Sequence, residues 1–90
     1  MRHRHVSLCV EWTGGKNISE VCAFLAGRGA RDLYVDEDMD LQYIPGQSFS
    51  HAHTVFRFRI SRTAPVHELL SSLAMQPGIY SAGELHRIFQ

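Results

Sequence analysis

Ninety residues carrying nine basic and nine acidic side chains make a neutral chain, 44% hydrophobic and 20% charged. That length supports one modest core, and the charge balance creates no field to draw nucleic acid or anionic lipid, so neither partner is expected. No apolar run approaches the roughly 18–20 residues of a membrane helix, and Ser7 and Glu11 break up any secretory h-region after the basic opening Arg2-His3-Arg4-His5.

Val6, Leu8, Val10 and Trp12 alternate with Ser7, Cys9 and Glu11. This period of two predicts a half-buried strand. Thr13-Gly14-Gly15-Lys16 ends it, and Asn17 with Glu20 three residues later forms a capping-box-like pair for a helix. Ile18, Val21, Cys22 and Leu25 share one face of that helix, and Gly27 and Gly29 are candidate left-handed stops. Leu33 to Val35 is a short strand that runs into the acidic Asp36-Glu37-Asp38-Met39-Asp40. Leu41 and Tyr43 could extend it, and Pro45-Gly46 marks a turn.

The pattern then repeats. Phe56, Phe58 and Ile60 alternate with Arg57 and Arg59, which predicts a strand from Thr54 to Ile60. Thr63 is the expected cap of a second helix, with Pro65 in its first turn and Val66, Leu69, Leu70 and Leu73 on its apolar face. Gln76-Pro77-Gly78 stops it, and a last strand lies between Ile79 and Phe89, its period blurred by Ser81-Ala82-Gly83. Two strand-helix-strand halves give the order βαββαβ. The expected fold is an α+β, ferredoxin-like sandwich: a four-stranded antiparallel sheet with two helices on one face. Residues 1–90 read as one soluble, cytoplasmic domain, either alone or as the soluble part of a membrane protein.

The face opposite the helices should show Ser7, Cys9, Glu11, Arg57 and Arg59. Of these, Ser7, Cys9, Arg57 and Arg59 form a strip only weakly polar for a free surface, and pairing with a second copy would cover it. The thiols of Cys9 and Cys22, with twelve residues between them, fit no zinc or redox spacing and read as free cysteines in or near the core.

Six histidines include the pairs His3-x-His5 and His51-x-His53. In a strand, residues i and i+2 share a face, so each pair has chelating geometry. If the first and third strands are antiparallel neighbours, His3 and His5 lie near Ile60, and His51 and His53 near Trp12. A joint four-histidine site within a monomer is then not expected. His51 and His53 with an acid from Asp36 to Asp40 remain a metal candidate against the plainer reading of solvated histidines. The acidic run lacks the glycine and closing glutamate of a calcium loop.

Ser19, Ser71 and Ser72 fall in helices without a nucleophile elbow. Glu11 or Glu84 beside a histidine is a pairing that chance supplies in such a composition. No catalytic set and no cofactor are therefore expected. Gly14, Gly15, Lys16 and Asn17 are the candidate ligand site. Two glycines before a helix N-terminus can present backbone N–H groups to an anion, or can simply make a tight, left-handed turn.

At Glu11-Trp12-Thr13-Gly14-Gly15-Lys16-Asn17-Ile18, with Gly29 before Leu33, the chain resembles the ACT domain superfamily. That resemblance implies dimerisation and binding of an amino acid or small anion at the Gly14–Asn17 turn. Val55 to Ile60, Val66-His67-Glu68-Leu69-Leu70-Ser71-Ser72-Leu73 and Gln76-Pro77-Gly78-Ile79-Tyr80 resemble, more narrowly, the soluble C-terminal domain of MgtC/SapB family membrane proteins. The implied role is a non-enzymatic regulatory domain in a magnesium-transport-associated protein. It would act as a homodimer or by docking to the membrane domain of the same protein.

Overall fold

A computed structural model describes residues 2–37 and 51–85. The elements run β1 (His3–Trp12), α1 (Ile18–Gly27), β2 (Arg31–Val35), β3 (His53–Ser61), α2 (Val66–Ala74) and β4 (Ile79–Glu84). The four strands form one antiparallel sheet in the order β2-β3-β1-β4. The fold is the expected α+β, ferredoxin-like βαββαβ arrangement.

β1 and β3 sit at the centre, in register from His3 opposite Ser61 to Glu11 opposite His53. Both strands extend past the expected ends, because the backbone ladder continues where hydrophobic alternation has already stopped. Val6, Leu8, Val10 and Trp12 meet Phe56, Phe58 and Ile60 on one face. Val21 and Leu25 of α1, and Val66, Leu69 and Leu73 of α2, close that face into a single core. Inside it the indole Nε1 of Trp12 donates to Oγ1 of Thr54 at 2.9 Å, which satisfies the one polar atom that the largest core side chain brings.

The helix ends differ from expectation in instructive ways. Asn17 does occupy the N-cap of α1, but its side chain makes no capping bond; only its carbonyl accepts from Val21 N–H at 3.2 Å. At α2 the cap is Pro65 rather than Thr63. Thr63 is held by Ser61 instead: its N–H donates to Ser61 Oγ at 3.3 Å, and the two hydroxyls lie 3.0 Å apart. A hydroxyl two residues upstream thus outcompetes the helix N-terminus for this threonine.

Of the two glycine stops, Gly27 is still helical, and Gly29, at φ +96°, ends α1. Ala30 N–H donates to Leu25 C=O at 3.0 Å and Gly29 N–H to Ala26 C=O at 3.1 Å, the two bonds of a Schellman motif. After α2, Pro77 and Gly78 (φ +83°) sit between Gln76 C=O and Ile79 N–H, bonded at 3.3 Å. This is a type II turn, which takes proline at its second position and needs glycine at its third.

β4 is irregular because the register with β1 shifts between Glu11 and Trp12, leaving Tyr80 without a partner between Ser81 and Ile79. The bulge lies at Tyr80, whereas Ser81-Ala82-Gly83, where the period blurs, pair in register with Glu11, Val10 and Cys9. The expected continuation toward Phe89, the acids Asp38 to Asp40, and the Leu41, Tyr43 and Pro45-Gly46 features lie outside the described residues. Among the described residues no helix is long and apolar enough to cross a membrane.

Thr54→Val would keep the shape and strip the acceptor from the Trp12 indole, and should cost about 1–3 kcal/mol in denaturant unfolding. A neutral result would mean the indole finds another acceptor. Glycine substitutions should divide sharply. Gly78→Ala forces an L-residue to positive φ and places a methyl 3.3 Å from Asn17 Nδ2, so a loss of about 1–2 kcal/mol is expected. Gly14→Ala and Gly15→Ala, with negative φ and open space around the new methyl, should stay within about 0.5 kcal/mol of wild type.

Candidate functional site

The strip expected opposite the helices exists, but it is not the free surface the alternation implied. Ser7, Cys9, Arg57 and Arg59 do share that face, since odd-numbered residues of β1 and β3 all point there. Cys9 is buried at 7% exposure, and its partner Val55 at 2%. Arg57 lies across three strands. Its Nε donates to Asp36 Oδ2 at 2.6 Å, beyond β2, and its Nη1 to Ser7 Oγ at 2.5 Å, on β1. Arg59 donates from Nε to Asp32 Oδ2 at 2.6 Å. Asp32 reaches it from a left-handed backbone (φ +54°) within a β2 bulge, a conformation that aspartate tolerates better than most residues. Ser7, Arg57, Arg59 and Asp32 line a broad, open concavity of about 880 Å³ bordered by His5, Tyr34 and Glu84.

Burial chiefly, and then the neighbouring Glu11 carboxylate, push the Cys9 thiol up from 9.0 to about 11. Burial also raises Cys22, on α1. Both cysteines are free, and neither is activated as a nucleophile.

The histidine pairs stand at opposite ends of the central ladder, His3 opposite Ser61 and His53 opposite Glu11. Among the described residues, Glu11 stands beside His51: its Oε2 lies 3.6 Å from His51 Nδ1, and its Oε1 accepts from Ser81 Oγ at 3.1 Å. The His51 ring stacks on Tyr80, centroids 4.1 Å apart, because the bulge in β4 turns that tyrosine onto the same face. Asp36 is committed to Arg57. Among the described residues no three histidine, cysteine or acidic side chains converge as a metal site would require. The sequence offered Glu11 beside a histidine only as a chance pairing, although the assumed β1–β3 register already places that acid beside His53.

Gly14, Gly15, Lys16 and Asn17 form an exposed connection between β1 and α1. Neither glycine is left-handed, so a turn that demands glycine is not what they supply. The connection is anchored at its start, where Thr13 N–H donates to Gly78 C=O at 3.0 Å. Next to Asn17, a crevice walled by Trp12, Val21, Phe24, Pro77 and Ile79 offers about 30 Å³, room for one water rather than an amino acid.

Comparison of the chain with protein-family models, curated proteins and solved structures yields no match.

The raised Cys9 thiol makes stability fall with alkaline pH. Between pH 9.0 and about 11 the unfolded chain has lost the Cys9 proton and the folded chain keeps it. The folded state therefore binds more protons, and unfolding becomes easier as pH rises through that window. Unfolding free energies measured across it should fall more steeply for wild type than for Cys9→Ala. Parallel slopes would show that Cys9 titrates normally.

Proposed function

We propose that this chain is a non-enzymatic regulatory or protein-interaction domain of ACT-like type, which works by association through its sheet. The observation that carries this reading is the use made of the polar side chains. Arg57 and Arg59 are spent on tying strands together through Asp36, Ser7 and Asp32, so the face opposite the helices is a rigid, preformed platform. A sheet with helices on one side and a fixed polar platform on the other is suited to pairing with a second copy or docking a neighbouring domain.

The narrower context is the cytosolic domain of an MgtC-like, magnesium-transport-associated membrane protein. Its support is the Pro77-Gly78 turn, where the left-handed glycine that the resemblance turns on is structurally required. That context expects four or five hydrophobic spans encoded in frame ahead of Met1. Their absence would reduce the proposal to a stand-alone module.

Sedimentation at micromolar concentration should show a dimer, and a strict monomer up to millimolar would overturn self-association. An amino-acid and phosphometabolite screen should yield no ligand. A specific anionic hit whose affinity falls about tenfold in Lys16→Ala, the loss of one charge-assisted contact, would replace this reading by a small-molecule sensor acting at Gly14–Asn17.

A further inference from the structure

The two edges of the sheet are not equivalent. Both edge strands carry a bulge, at Asp32 in β2 and at Tyr80 in β4, but β2 is the shorter, begins with the charged Arg31, holds the left-handed Asp32 and runs into Asp36. Such features oppose pairing with another strand. β4 offers Ser81-Ala82-Gly83 without charge or proline, and the carboxylate of Glu84 is turned back onto Arg4, with oxygens 3.2 and 3.3 Å from its guanidinium.

Hydrogen-bond parity says which groups of β4 face outward. Leu85 N–H donates to Ser7 C=O at 2.7 Å. In an antiparallel ladder, alternate residues of an edge strand bond inward. Leu85, Gly83 and Ser81, opposite Ser7, Cys9 and Glu11, therefore bond toward β1. Ala82 and Glu84 turn their N–H and C=O groups away from it. Among the described residues no strand pairs with this outer edge.

We infer that a second copy of this chain pairs with the first along β4, antiparallel, with the two-fold axis through Ala82. This rests on the self-association proposed above and places the contact at the sheet edge, leaving the platform face open. In that register Ala82 exchanges two backbone bonds with the partner's Ala82, outward group against outward group. Ser81 lies opposite the partner's Gly83, so no bulky side chain opposes the approach. Tyr80, 59% exposed and already turned onto the platform face, falls opposite the partner's Glu84 and diagonal to the partner's Gly83, whose missing side chain leaves open space for the ring. An aromatic ring covering an edge glycine is a stabilising cross-strand arrangement. The axis runs perpendicular to the sheet, so two four-stranded sheets become one continuous sheet with all helices on the same side.

Ala82→Lys and Ala82→Glu test the inference as a pair. Each sets a charge directly against its own copy across the axis, which opposes pairing. Each variant alone should sediment as a monomer at concentrations where wild type is dimeric, and mixing the two should restore a dimer. Folded variants that remain dimeric alone, or that stay monomeric when mixed, overturn the β4 pairing and leave the association reading standing. A wild type that is monomeric to millimolar overturns both. If circular dichroism shows that either charged variant is unfolded, Ala82→Pro serves in its place. Proline there removes only the outward N–H, a loss that edge strands accept. Retention of the wild-type dimer by folded Ala82→Pro overturns the inference, and its loss supports it.

Discussion

The register of β1 against β3 is the constraint from which the rest of the molecule follows. It sets Val6 against Phe58 and Leu8 against Phe56 on one face, and Ser7 against Arg57 and Cys9 against Val55 on the other. A slip of one residue would carry the slipped strand's side chains to the opposite face. Each large apolar side chain moved out of the core forfeits about 1.5–3 kcal/mol, so no other alignment competes. The same alignment puts Arg57 within reach of both Ser7 and Asp36, and Glu11 beside the segment that carries His51.

Around that pair, the chain is turned by backbone geometry more than by side-chain caps. Both helices lack a capping side-chain bond at their N-termini. Both are followed by a glycine at positive φ, Gly29 in the Schellman motif and Gly78 in the type II turn. The second turn does double duty. Its Gly78 carbonyl receives Thr13 N–H, and a side chain at Gly78 would run up against Asn17 Nδ2. The loop that looks like a ligand cradle in sequence is thereby docked onto the return from α2.

What could be read in the sequence was whatever has a period. Phe56, Phe58 and Ile60 against Arg57 and Arg59 announced β3, and Val66, Leu69 and Leu73 announced α2 (each set is buried as the pattern implies). Pro77-Gly78 was legible because a type II turn selects those residues by sterics. Alternation could not distinguish a side chain that faces away from the helices from one that faces water. Cys9 has the parity of an exposed residue and is buried. Thr63 as a cap failed because Ser61, equally polar and closer, claims it. The bulges at Asp32 and Tyr80 had no sequence signal strong enough to place them, and they decide where Arg59 finds its acid and where His51 finds its aromatic neighbour.

The strand order β2-β3-β1-β4 interleaves the two halves of the chain. β1 and β2 come from the first half and β3 and β4 from the second, yet β1 pairs with β3 and β4, and β2 pairs with β3. Among the described residues, every strand pairing therefore joins one half to the other. The described strands of either half alone make no hairpin, and each half would leave the apolar side of its helix uncovered. A backbone cut between Glu37 and His51 would produce two fragments with no folded state apart, whose structure returns only in the reassembled complex. The domain folds all at once or not at all, although its sequence reads as the same short motif written twice.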